Sequence, residues 1–151
     1  MTGTSAYRGE FKHGNSAMKV PRRVGVLGAG FVGGAIALRA KAGGATVLSL
    51  RSSDLDLLDV GANRRLVSLL DEDDTLVFVS AKAPAKTVSD MLVNIRIGEV
   101  VARALEEISV SHVIYISSDA VYPDGVTPLC ESSLVAPSDP HGMMHAAREL
   151  M

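Results

Sequence analysis

The sequence predicts an α/β fold, a parallel sheet flanked by helices. Two observations predict it. Short apolar strands alternate with helical segments from Arg23 onward, and a G-x-G-x-x-G string joins the first strand to the first helix. At 151 residues the chain is long enough for one domain with a buried core.

The elements follow in chain order. The opening "MTGTSAYRGEFKHGNSA" is polar, Gly-rich and aperiodic, which predicts a disordered tail over residues 1–20 ahead of a folded domain over 21–151. Met18 reads as a natural protein start, which makes the residues before it an extended leader or the product of a mis-assigned start codon. "VGVL" (24–27) is a short buried strand, and Phe31 to Ala42, rich in Ala, Ile and Leu, is a helix. "ATVLSL" (45–50) is a second strand, and "RSSDLDLLD" (51–59) is a loop with room for a short strand. "ANRRLVSLL" (62–70) is a helix that runs into "DEDD" (71–74), an acidic run expected to be a solvated loop. "TLVFVS" (75–80) is a strand, and Val88 to Ile108 is a long amphipathic helix. "HVIYISS" (112–118) is the last strand, followed by a loop bearing Pro and Gly and a final helix that starts with "PHGMMHAARE" (140–149) and is expected to run on to the end of the sequence. Apolar strands separated by helices imply right-handed crossovers and a parallel sheet covered on both faces.

Composition excludes several classes. Fifteen Lys and Arg against 17 Asp and Glu give a net charge of −2, an ordinary mixed surface with no nucleic-acid footprint. The apolar runs are too short and too interrupted to span a bilayer, and no secretory apolar core is expected near the N-terminus. The single cysteine, Cys130, cannot form an internal disulfide, in keeping with a reducing, cytoplasmic setting. With no base partner in view, Cys130 reads as a small structural or surface residue rather than a nucleophile.

The glycine string is the first motif with chemistry in it. Gly28, Gly30 and Gly33 follow a strand and open a helix, the context that a Rossmann-type phosphate loop requires. Gly28 permits the tight turn, Gly30 lets backbone approach a pyrophosphate, and Gly33 lets helix and strand pack closely. Phe31 and Val32 lie in the first helical turn, where free N–H groups and partial positive charge meet an anion. The ligand expected here is NADP or NAD. NAD-binding folds place an Asp or Glu at the end of the second strand for the ribose 2′-hydroxyl. This chain has Arg51 there, followed by Ser52 and Ser53, which suits a 2′-phosphate because Arg pairs with phosphate as a fixed fork. The alternative is that Arg51 is a solvated loop residue.

Several segments together resemble the extended short-chain dehydrogenase/reductases of the NAD-dependent epimerase/dehydratase type, and within them the dTDP-4-dehydrorhamnose reductase branch. The likeness runs from Arg23 to the last residue and covers about the N-terminal half of a member. "RSSDLDLLD" is similar to that branch's segment after strand two, which implies adenine contacts for Asp56 and Leu57. "VFVSAKAP" stands where members have an Ala-rich strand end beside the cofactor, which implies that Ser80, Ala81 and Lys82 line it. Asn94 falls where members carry a structural Asn, "YISSDAVYPDG" resembles the segment S-[ST]-D-x-V-[FY], and "CESSLVAPSDPHG" resembles the punctuation before the catalytic helix. The glycine loop departs from the usual G-x-x-G-x-x-G, since its first position is Leu27 and Gly28 takes over.

The resemblance also implies a catalytic trio: a Ser or Thr that binds the reacting carbonyl, a Tyr that moves the proton, and a Lys four residues later. Ser118 matches the first. Laying Y-G-x-x-K-x-x-x-E on "HGMMHAARE" aligns Gly142 and Glu149 with their counterparts but puts His141 at the Tyr and His145 at the Lys. Imidazole, with a reference pKa of about 6.5, is a competent acid or base near neutrality. It is also shorter than phenol, and His145 would be a mostly uncharged and poor ribose anchor. The competing readings are a relic whose catalytic pair is lost, and a metal site using His at i and i+4. Met143 and Met144 read as packing residues.

Two functions are therefore expected. One is the NAD(P)-binding part of an oxidoreductase or epimerase acting on nucleotide sugars, truncated before the C-terminal substrate-binding region and inactive as it stands. The other is a non-catalytic NAD(P)-binding sensor or scaffold. In either, the last strand is an open edge, which a homodimer or a partner would cover.

Overall fold

The central strand is β1 (Arg23–Leu27), whose continuous apolar run suits a strand buried on both faces. The computed structural model describes residues 20–125 and 128–151; the tail and the start at Met18 lie outside the described residues. After β1 come α1 (Phe31–Ala42), β2 (Thr46–Leu50), α2 (Ala62–Leu69), β3 (Asp74–Phe78), α3 (Val88–Glu107), β4 (His112–Tyr115), a 3-10 turn (Asp119–Val121) and α4 (Pro140–Glu149). The sheet order is β2-β1-β3-β4 and every pairing is parallel.

Alternation along the strands divides the core in two. Val24, Val26 and Val77 face α1 and pack with its Ile36, Ala37 and Ala40. Leu27, Leu50, Leu76 and Phe78 face the other way, onto Leu66 of α2 and Ile97, Val101 and Ala104 of α3. The long α3 is opened by a reciprocal cap, in which Thr87 accepts from the Asp90 amide and Asp90 accepts from the Thr87 amide. The α4 helix starts where Asp139 accepts from the Gly142 amide at 2.7 Å and Pro140 occupies the first turn. The β4 strand lies at the sheet edge, with Val113 and Ile114 both substantially exposed.

Three expectations need correction. The segment 51–59 holds no strand: Asp54 accepts from the Arg51 amide and Asp56 from the Leu58 amide, so carboxylates take amides that a ladder would need. The last strand ends at Tyr115, short of Ser118, because Ser118 caps the 3-10 turn. The acidic run is not uniformly solvated, since Asp74 is completely buried. Asp74 begins β3 opposite Arg23 of β1 and receives two bonds from its guanidinium, at 2.6 Å each. Its remaining acceptor capacity is used by the Asp71 amide at 2.9 Å, and Arg23 also donates to the Leu69 carbonyl. The bond to Asp74 raises the Arg23 pKa above its usual value.

This pair and its exposed neighbour should differ sharply. Asp74→Ala strands a partly buried guanidinium, and because Arg23 is one-third exposed the loss should fall near the low end for broken buried pairs, about 2–3 kcal/mol. Asp73→Ala breaks the Arg22 pair, exposed on both sides, and should cost about 0.5 kcal/mol or less. Urea unfolding of the two variants checks the contrast.

Candidate functional site

The C-terminal ends of β1, β2 and β3 converge on the glycine turn. Gly28 sits at φ +100°, a conformation that disfavours a side chain, and its amide donates to the Leu50 carbonyl at 2.8 Å. A β-carbon on Gly28 would stand 2.5 Å from the Ser80 nitrogen. The amides of Val79 and Ser80 both donate to Leu27 O, so the end of β3 is bound directly to the turn. Gly33 is equally constrained, because a β-carbon there would collide with the Gly28 carbonyl. Gly30 differs from both: a β-carbon would meet no protein atom within 4 Å. Helix α1 has no side-chain cap, which leaves its first-turn amides open in front of that space.

Around this turn lies a cleft of about 1070 Å³. Of the residues expected to meet the dinucleotide, Gly28, Gly30, Phe31, Val32, Gly33, Arg51, Ser52, Asp56, Leu57, Ser80, Ala81 and Lys82 line it, whereas Ser53, expected beside Arg51 and Ser52, does not. Ala29, Leu55, Leu58, Val79, Ala83, Val93 and Ile97 complete the walls, and the sequence motifs did not single them out. Their signal was the core periodicity of α3 and the alternation of Leu55 with Leu57. The far wall is held by Asn94, which is completely buried, accepts from the Lys82 amide at 2.8 Å and donates to the Lys82 carbonyl at 3.0 Å. The Lys82 ammonium pairs with Asp90 at 3.4 Å, and Asp90 is held below the usual carboxylate range chiefly by its bond from Thr87. On the opposite rim Phe31 is almost wholly exposed, and the Arg51 guanidinium has no protein partner among the described residues. Arg65 donates to the Asp54 carbonyl at 3.0 Å and steadies the loop that carries Arg51.

A dinucleotide fits what is present. The volume lies near the upper end of ordinary ligand pockets, roughly 300–1,000 Å³. The open space at Gly30 leads to uncapped amides, the donors that a pyrophosphate accepts from.

Ser118, His141 and His145 are not among the residues lining this cleft. The Ser118 hydroxyl accepts from the Ala120 amide and donates to Asp119, both at 3.2 Å. His141 is half-buried, and its ring stands edge-on to that of His145 at 4.8 Å between centroids. His145 is buried and turns inward, with Nδ1 2.6 Å from the Tyr115 hydroxyl. Burial, then the neighbouring His141 and Arg148, push its pKa down to about 4, so the imidazole is neutral at pH 7. Burial raises the Tyr115 pKa, so the phenol keeps its proton and shares a hydrogen bond with Nδ1. Among the described residues no third His, Cys, Asp or Glu joins the two histidines in a metal-sized cluster. Met144 is completely buried, as its packing role requires, whereas Met143 is about half exposed. Ser117 donates to Glu149, which ties α4 to the end of β4. Tyr115 and Arg148 were both missed at the sequence level. Arg148 is three residues after His145 and four after Met144, on the inward face of α4, and that spacing was the available signal.

The sequence profile described as the NAD dependent epimerase/dehydratase family matches residues 24–151. The chain belongs to this family. Solved structures show the same fold. A UDP-glucose 4-epimerase from Thermus thermophilus, in complex with NAD, is 25% identical with a TM-score of 0.73, over 85% of this chain and 49% of that one. A GDP-mannoheptose C4 reductase from Campylobacter jejuni, with NADP bound, is 18% identical with a TM-score of 0.74, over 89% of this chain and 47% of that one. A UDP-N-acetylglucosamine 4-epimerase from Bacillus cereus is 22% identical with a TM-score of 0.71, over 85% and 52% respectively. The chain thus spans about half the length of these structures. A search of curated proteins finds no significant match. Among the described residues no helix is long and apolar enough to cross a membrane.

The His145 environment sets a pH dependence. Its pKa is about 4 folded against 6.5 unfolded, so the unfolded chain binds the extra proton between those values. Stability from this group is therefore complete above about pH 6.5 and is lost as pH falls toward 4, by on the order of 2–3 kcal/mol. His145→Asn keeps an acceptor for Tyr115 but cannot titrate. Subtracting its pH–stability curve from that of the wild type should leave a rise confined to that window; parallel curves would refute the assignment.

Proposed function

We propose that this chain is the dinucleotide-binding part of a nucleotide-sugar reductase or epimerase. The observation that carries the reading is the glycine turn. Gly28 and Gly33 are closed off by protein, whereas Gly30 opens on uncapped helix amides at the mouth of a cleft of dinucleotide size. The solved relatives with NAD or NADP bound support it. The dehydrorhamnose-reductase branch belongs to the same proposal and rests on "RSSDLDLLD", which forms the cleft wall through Asp56 and Leu57. So does the setting, a cytoplasmic protein with a homodimer or a partner across the open β4 edge, where Val113 and Ile114 are exposed.

NADP is the preferred cofactor in this reading, because a guanidinium unpaired among the described residues stands beside Ser52 on the cleft rim. NADP should bind more tightly than NAD, and Arg51→Asp should flatten or reverse that order. A charge-assisted phosphate contact is worth roughly 1.5–3 kcal/mol, so the shift should be about tenfold or more. Gly30→Val should leave the fold intact, since nothing lies within 4 Å, yet abolish binding of both. Calorimetric titration checks all three proteins; equal affinities for the two cofactors in the wild type would remove the NADP preference.

A second reading, a non-catalytic NAD(P)-binding sensor or scaffold, is favoured by His145. Where the family resemblance places a lysine, this chain has a neutral imidazole that is buried and engaged by Tyr115. We expect the chain as it stands to bind dinucleotide and to transfer no hydride to or from nucleotide hexoses. The change in nicotinamide absorbance measures this. Turnover that His141→Ala and Ser118→Ala abolish would instead make His141 a working proton donor.

A further inference from the structure

Arg148 is a buried cation without a carboxylate. It is only 5% exposed, and among the described residues it forms no ion pair. Glu149, next in sequence, is engaged by Ser117. The Arg148 guanidinium carbon lies 4.2 Å from the Phe78 ring centroid and 5.1 Å from that of Tyr115. Nη1 is 3.9 Å from the Met144 sulfur, and buried Nε has no partner among the described residues. The stem runs close against Gly98, where a β-carbon would stand 3.1 Å from Arg148 Cγ. One strong bond remains: Nη2 donates to the Ser80 carbonyl at 2.7 Å. Aromatic faces and a single carbonyl offset only part of the penalty for burying a cation with an orphan donor. An apolar side chain of similar length would suit this core better.

The bond to Ser80 shows what the cation does. Ser80 is the residue that Gly28 abuts, and it lines the dinucleotide cleft. Its amide is held by Leu27 O at 2.9 Å and its carbonyl by Arg148, so both sides of the residue are fixed. The peptide after it is planar and trans, so the Ala81 N–H points opposite to the Ser80 carbonyl and away from Arg148. The Ala81 amide has no protein acceptor among the described residues, and Ala81 lines the cleft.

We propose that Arg148 is a positioning residue: from α4 it fixes the Ser80–Ala81 peptide so that the Ala81 amide is presented to the dinucleotide, and it sets affinity without touching the ligand. This inference rests on the dinucleotide reading given above. It requires affinity and stability to move in different directions.

The test titrates NADPH and NADH into the wild type, Arg148→Met and Arg148→Lys by calorimetry, with thermal melting and amide NMR shifts of the ligand-free proteins. Arg148→Met fills the space with no donor. It should melt at the wild-type temperature or higher, shift the Ala81 amide resonance, and bind both cofactors about tenfold more weakly, as expected for a misplaced donor. Arg148→Lys can still reach the carbonyl with one N–H and should recover part of that loss. Unchanged affinity in Arg148→Met overturns the proposal while leaving the dinucleotide reading intact. A loss of affinity that follows a lowered melting temperature and that Arg148→Lys does not relieve also overturns it, by making Arg148 merely structural. No binding by the wild type removes both readings together.

Discussion

The rest of the structure depends on how closely backbone can approach backbone at Gly28. The turn lies within reach of the end of β2 through Leu50 O and of the end of β3 through Ser80, while α1 begins three residues on, at Phe31, and presses Gly33 onto the Gly28 carbonyl. Any β-carbon at Gly28 or Gly33 would drive these elements apart. The sheet could still form lower down, where Val24, Val26 and Val77 pack beneath α1, but its upper ends would lose their common meeting point. The cleft is a consequence of that meeting point. It opens where the strands stop pairing and before the helices close over them, the usual place for a ligand in an open parallel sheet.

Much of this was legible in the sequence, and for identifiable reasons. The alternation of strands and helices announces itself in the sequence: α1 spans the expected Phe31 to Ala42, α4 opens at the expected Pro140, and the glycine string sits at the β1–α1 junction. The cleft lining was legible from Gly28 to Gly33 because a local motif fixes it, and at Arg51 and Ser52 because they follow a strand end, whereas Asp56, Leu57 and residues 80–82 were reached only through the family resemblance. What was illegible is long-range. Arg148 meets Ser80 across 68 positions and Tyr115 meets His145 across 30, and no local pattern encodes either contact. Asp74 escapes a local reading because charge runs are usually solvated. Only the register that sets it opposite Arg23 reveals its partner. The loop after β2 escapes it because Asp54 and Asp56 serve amides of their own segment, a competition that hydrophobic alternation does not report.

The two histidines of α4 set the electrostatics of one helix face. A lysine at position 145 would need water or anions around its ammonium. The imidazole found there is small enough to fold into the core, and once inside it is discharged by burial beside His141 and Arg148. Tyr115 then becomes its natural partner, because a protonated phenol and a neutral imidazole satisfy each other without net charge. The fixed cation of this region is Arg148, which reaches the cleft floor through Ser80 rather than through open solvent.

The distribution of satisfied and unsatisfied groups along the strands carries the same message. At the N-terminal end of the sheet, the buried Asp74 is completely paired, by two bonds from Arg23 and one from the Asp71 amide. At the C-terminal end the reverse holds among the described residues. Here lie the uncapped amides of α1, the free Ala81 amide, the unpaired Arg51 guanidinium, the bare ring of Phe31 and the orphan Arg148 Nε. Each such polar group costs stability in an isolated protein when it is buried or shielded from solvent, since such donors are normally paired. These groups lie together at one end of the sheet, near a glycine that leaves room for another molecule. A lower edge built for stability and an upper edge left incomplete is the arrangement expected of a scaffold whose missing hydrogen-bond acceptors arrive with an anionic ligand.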